Sequence, residues 1–187
     1  MPFWAMGALS LLPIWGFIYV RGVQPIERKV VGPLGEGAAV YANCQSCHGP
    51  DGAGGAGRPL KDGEVLKTFP KIEDQLNFVY NGSAKYKAAG VAVIGDPNRA
   101  GGAHTPLAYN GNPMPQQGSK AGGALTDAQI LAVVCHERYT LAGGDEASEE
   151  FTKWCSPTSE IFTALNSGAA TFDTVEGVGT EPRASAG

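Results

Sequence analysis

The chain has 187 residues, enough for one domain with a packed core and some further segments. Its 27 glycines and 13 prolines favour short helices joined by long ordered loops, and aromatic residues at 9% leave a core that a buried prosthetic group would complete. Formal charge is −4, split into 12 Lys+Arg against 10 Asp+Glu over residues 1–140 (net +2) and 2 against 8 over 141–187 (net −6), so there is no basic stripe and nucleic-acid binding is excluded.

Residues 1–20, MPFWAMGALSLLPIWGFIYV, carry no charged side chain. At about 1.5 Å per residue such a run can cross roughly 30 Å of hydrocarbon, so a transmembrane anchor is expected over 1–22. Trp4, Trp15 and Tyr19 would lie near the interfaces. A cleaved signal peptide would need a basic start, absent from residues 1–20, and a small-residue cleavage site, which Val20-Arg21-Gly22-Val23 does not offer. A linker is expected over 23–34. A first helix over 35–44 runs into Cys44-Gln45-Ser46-Cys47-His48, and a glycine-rich turn follows over 49–57.

Ile72, Leu76 and Val79 recur at helical spacing and predict a short helix over 73–80. Residues 88–125, rich in Gly, Pro and Asn, read as one long loop, a length usually kept for function. Thr126 is a candidate N-cap for a helix with Ile130, Val133 and Val134 on its apolar face. Beyond 142 an acidic extension over 143–187 is expected, with a short helix over 159–165 and a loose end. Cys135 and Cys155 stand alone, and an oxidising compartment would pair them as a disulfide worth about 3 kcal/mol; the alternative is two unrelated free thiols.

The C-x-x-C-H run carries the chemistry. Its two thiols can each add across a haem vinyl group, and the adjacent histidine is then held against the iron. A zinc site would need two more ligands, for which Cys135 and His136 form an awkward adjacent chelate. A thioredoxin-type dithiol should open a helix after a strand, whereas Gly49-Pro50-Asp51-Gly52 breaks the chain at once.

The stretch Tyr41-Ala42-Asn43-Cys44-Gln45-Ser46-Cys47-His48-Gly49-Pro50-Asp51-Gly52 closely resembles the haem-binding run of class I c-type cytochromes. The likeness extends to Gly37-x-x-x-Tyr41, which looks like that family's small/aromatic pair at the helix crossing. It also extends to Leu125-Thr126-Asp127-Ala128-Gln129-Ile130, which looks like the start of its C-terminal helix. The resemblance implies a mostly α, class I cytochrome c fold over 35–142, with one haem c held covalently by Cys44 and Cys47 and His48 as proximal ligand. It implies a distal methionine in the loop before the last helix, a place that Met114 in Asn112-Pro113-Met114-Pro115 matches. His104, in the same loop, is the rival ligand. It further implies that a proline carbonyl, that of Pro59, accepts from the other His48 nitrogen. His136 departs from the family, which often has an aromatic residue there.

The functional expectation is a one-electron carrier, not an enzyme. It would be a mono-haem subunit between a quinol-oxidising or other respiratory complex and a terminal acceptor. The haem domain would lie on the periplasmic face, anchored in the membrane beside other subunits and redox partners. Arg21, Arg28 and Lys29 favour the opposite topology by the positive-inside rule, a bias that the haem chemistry outweighs. Lys61, Lys67 and Lys71 are candidates for docking an acidic partner. The alternatives are an open-site haem enzyme or gas sensor, and a mainly structural haem subunit.

Overall fold

The structure, a computed structural model, describes residues 3–22 and 32–185. It is mostly helical. In chain order come α1 (Phe3–Gly22), α2 (Pro33–Tyr41), α3 (Gln45–His48), α4 (Glu64–Thr68), α5 (Ile72–Ala88), α6 (Asp127–Cys135) and α7 (Glu160–Ser167). Wider π turns follow α6 (His136–Leu141) and precede α7 (Phe151–Cys155). Among the described residues there is no strand, only isolated bridges pairing Ile94 with His104 and Gly118 with Leu125.

The crossing of α2 over α6 organises the rest. A Cβ on Gly37 would lie 2.0 Å from the Ala132 carbonyl oxygen, so only glycine lets the two backbones meet. One turn on, Tyr41 is buried with its ring 5.3 Å from that of His136, which occupies the aromatic place in the crossing. Helix α2 starts and stops earlier than the expected 35–44. Pro33 supplies the preset φ of a first turn. At the other end, tight bonds from Asn43 N–H to Val40 and from Cys44 N–H to Tyr41 divert the chain toward α3. The expected linker falls over 23–31 outside the described residues, and Leu34 already belongs to α2.

The N-cap of α6 is as expected. The Thr126 hydroxyl accepts from Gln129 N–H at 3.2 Å, and the Gln129 side chain accepts from Thr126 N–H at 2.9 Å. Helix α5 runs well past the expected 73–80, to Ala88, but is interrupted by Gly82 at φ 70° and ψ 165°.

The extension is not loose. Trp154, Phe162, Leu165, Phe172 and Val178 are buried in the same cluster as Ile72, Leu76, Ile130 and Leu131. Asn77, fully buried in α5, donates to the carbonyls of Val178, Gly179 and Glu181 at 3.0 Å each. The sequence pattern hid this because the anchors are single aromatic or branched residues spaced among glycines and acids. Cys135 and Cys155 form a disulfide with Cα atoms 5.5 Å apart, tying α6 to the second π turn.

The expectation for residues 1–22 is met only in part. They do form a helix, α1, whose Leu11, Leu12, Ile14, Trp15, Phe17 and Ile18 are exposed. Yet among the described residues no helix is long and apolar enough to cross a membrane, so the expected span is unsupported. Pro13 lies inside α1.

Two outcomes are expected in denaturant unfolding. Gly37→Ala should cost about 2 kcal/mol or more, because a packed backbone must move. Replacing both Cys135 and Cys155 by Ser should cost about 3 kcal/mol, a loss that reductant reproduces in the wild-type chain.

A candidate haem site

A cavity with about 960 Å³ of empty space, counted to its open mouth, lies between the haem motif and the long loop. Leu60, Val65, Phe69, Phe78, Val79 and Ile94 make its wall mainly apolar, and Cys47, His48, His104 and Met114 all line it.

His48 is held by the backbone around it. Its own N–H donates to Cys44 O at 3.0 Å, and its carbonyl accepts from Gly54 N–H at 2.8 Å. Cys47 O accepts from Gly57 N–H at 2.8 Å, bringing the 54–58 loop across the imidazole. A Cβ on Gly57 would stand 2.9 Å from the His48 ring. The ring Nδ1 donates to a carbonyl at 2.7 Å, and that carbonyl belongs to Arg58, not to Pro59. The correction has a plain cause: Gly57 is pinned to Cys47, so the next carbonyl in the chain is the one over the ring. Pro59 packs instead against Gly54, where an added Cβ would be 2.9 Å from the proline nitrogen. With Nδ1–H spent on Arg58, the Nε2 lone pair is left for a metal. Burial lowers the His48 pKa, which keeps the imidazole neutral as a ligand must be.

Met114 is fixed through both backbone polar groups. Its N–H donates to Ser83 Oγ at 2.8 Å, and its carbonyl accepts from Ser83 N–H at 3.0 Å. The interruption at Gly82 makes this possible. It frees Ser83 N–H from the helix, and a Cβ at Gly82 would lie 2.6 Å from Met114 O and from Gln116 N. The carbonyls of Val79 and Tyr80, at the end of the first stretch of α5, accept from Gln117 N–H at 3.2 Å and Gly118 N–H at 3.1 Å. Sequence reasoning missed Gly82 and Ser83; the signal was the Asn81-Gly82-Ser83 turn triplet inside a helical pattern.

The rest of the long loop closes the cavity from outside. Ile94 N–H donates to His104 O at 2.6 Å, and Asp96 N–H to Thr68 O at 2.8 Å. Arg99 pairs with Glu64 and reaches Thr68 Oγ1 at 3.1 Å. The Arg58 guanidinium lies 4.9 Å from the Tyr109 ring, and Asn110 donates to Gly55 O at 3.1 Å. Desolvation brings the His104 pKa down to about 4, so it too is a neutral imidazole on the cavity wall. Two of the lysines named as docking candidates have partners on the chain itself: Lys61 with Asp51 at 3.0 Å and Lys67 with Glu64 at 2.6 Å.

These residues fit a covalently held haem. Cys135 is committed to Cys155 and could not complete a zinc site, while Cys44 and Cys47 stand outside that bridge and would take the vinyl groups. Two neutral imidazoles, His48 and His104, and one thioether, Met114, line the apolar cavity, and His48 already has the carbonyl partner that orients a ligating ring. A helical shell of this kind around a C-x-x-C-H motif defines a small covalent haem protein. A family model for Cytochrome c matches residues 34–136, and the chain belongs to that family. No curated protein and no solved structure matches it. The chain is therefore a haem electron carrier whose cofactor is covalently bound haem c.

Gly57→Ala should push a methyl group into the His48 ring. The expected result is a several-fold lower yield of haem-loaded protein, read as the ratio of Soret to protein absorbance.

Proposed function

We propose that this chain carries single electrons between protein partners, with His48 and Met114 as the axial ligands of its haem. Bound haem c supplies the Fe(III)/Fe(II) couple. The observation that carries the reading is the double hydrogen bond between Met114 and Ser83, which fixes the backbone behind the thioether on the same cavity as His48. A ligand held so needs little rearrangement between oxidation states. A thioether there also excludes small molecules from the distal face, which separates a carrier from an open-site enzyme or gas sensor.

We further infer that the haem domain works outside the cytoplasm, attached to a membrane by α1, among the subunits of a respiratory complex. Support comes from the Cys135–Cys155 bridge, which persists where thiols are oxidised, and from the row of exposed apolar side chains on α1. In a mainly structural subunit, by contrast, partners would cover the haem edge entirely.

Optical spectra of the oxidised and reduced protein, with carbon monoxide added to the reduced sample, test the ligand set. A low-spin spectrum with the weak far-red sulfur–iron band and no response to carbon monoxide is expected. Met114→Ala should lose that band and gain carbon monoxide binding, whereas His104→Ala should change neither. A high-spin wild-type spectrum that shifts with carbon monoxide would move the reading to the enzyme or sensor. Fractionation tests the attachment: the full chain should sediment with membranes, and a chain lacking residues 1–22 should be released.

A further inference from the structure

Glu137 lies on the wall of the cavity that holds His48 and Met114, on the π turn that continues α6. It is 5% exposed. Its Oε2 accepts one hydrogen bond, from Gln75 Nε2 of α5 at 2.8 Å. The orientation of that amide is settled from its far side, because Gln75 Oε1 accepts from Arg138 Nη1 at 3.1 Å. Its NH2 must therefore face Glu137.

The adjacent arginine does not neutralise the carboxylate. Arg138 directs its guanidinium to Glu150 Oε1, from Nε at 2.9 Å and Nη2 at 2.7 Å, and to the carbonyls of Phe69 at 2.8 Å and Pro70 at 3.4 Å. From the α2 side the ionisable neighbours are Tyr41, whose hydroxyl donates to Gly49 O at 2.8 Å, and Cys44. Neither brings positive charge. An ionised carboxylate has about four lone-pair sites to satisfy. Here, among the described residues, one neutral amide serves them. Burial accordingly pushes the Glu137 carboxyl up to about 7, against the Gln75 hydrogen bond and the Arg138 charge, which pull it down.

The remaining charge beside Glu137 is the one that the centre of the cavity would hold. Ferric haem carries one more positive charge than ferrous haem, and on an apolar wall that difference is weakly screened. We propose that Glu137 is a proton-binding site coupled to the haem, a carboxylate when the iron is oxidised and a carboxylic acid when it is reduced. The balance is simple. One electron enters from a one-electron donor protein, one proton enters from solvent, and an O–H bond forms at Glu137. Oxidation returns both. Net charge inside the cavity then stays constant through the cycle. Gln75 serves as the positioning residue, since its N–H favours the carboxylate and sets the pH at which the switch occurs.

The inference rests on the haem site proposed above, and its test separates the two. The midpoint potential of the haem-loaded full chain would be titrated from about pH 5 to about pH 9, around the range where the raised carboxyl titrates. The potential should fall with rising pH through neutrality. The total drop should correspond to at least a tenfold difference in proton affinity between the two oxidation states, about 59 mV for one electron. Glu137→Gln should remove that fall, and Gln75→Leu should move its inflection to higher pH. An inflection common to all three proteins overturns the proposal and assigns the proton elsewhere, His104 and the haem carboxylates being the other groups in reach. If Glu137→Gln fails to load haem, the reduced-minus-oxidised infrared difference spectrum of the wild type decides. A protonated carboxyl band that appears on reduction, shifts in D2O and moves in Gln75→Leu supports the site, and its absence overturns it. Failure of the haem reading would show earlier, as a visible spectrum without the histidine–thioether signature.

Discussion

Helix α5 departs from helical geometry at Gly82, and the hydrogen-bonding groups it thereby releases build the distal side of the cavity. Ser83 uses its N–H and its hydroxyl to hold both polar groups of Met114, while Val79 and Tyr80 offer their carbonyls to Gln117 and Gly118. The loop from 88 to 125 is thus anchored at the residue where function needs it, although it has little regular structure of its own. A continuous helix would satisfy those groups internally and leave the loop unattached. The weakness in the helix is what gives the loop a defined course.

Two apolar clusters meet at Met114, which packs partly buried against both. The larger joins α5, α6, α7 and the extension; the smaller lines the cavity around Val65, Phe69, Phe78 and Ile94. The extension reaches this junction indirectly. Glu150, just before the second π turn, accepts from Arg138, from Tyr139 Oη at 2.8 Å and from Ile72 N–H at 3.2 Å. One acidic residue of the tail therefore fixes the start of α5 and the π turn that carries Glu137. The acidic composition that suggested a solvated appendage contains at least one carboxylate with a structural task.

Much of the proximal side was legible in the sequence. Cys44, Cys47 and His48 follow from spacing alone, and Gly37 with Tyr41 marked the helix crossing that Ala132 completes. The N-cap at Thr126 follows from local chemistry. What was not legible depends on contacts distant in sequence. The carbonyl over His48 shifted from Pro59 to Arg58 because the bond between Gly57 and Cys47, ten residues apart, sets the loop register. The length of α5 was underestimated because an Asn-Gly-Ser triplet reads as a stop, whereas here the helix resumes after it. Asn77, a polar residue amid an apolar pattern, gave no hint that it would clamp carbonyls about a hundred residues away. For residues 1–20 the absence of charge was legible, but absence of charge is not the same as a helix long and apolar enough to cross a membrane.

The four cysteines place a chemical demand on the chain before it is folded. Cys44 and Cys47 must remain reduced to react with a porphyrin, while Cys135 and Cys155 must be oxidised to join, and both events involve the same polypeptide. The fold separates them by accessibility: the bridged pair is sealed in the core at 0% exposure, and Cys47 stands at the surface. Early closure of α6 onto the second π turn would withdraw two thiols from exchange and leave only the correct pair available. Packing of the core thereby acts as a sorting device, deciding which sulfurs are crosslinked and which are kept for the cofactor.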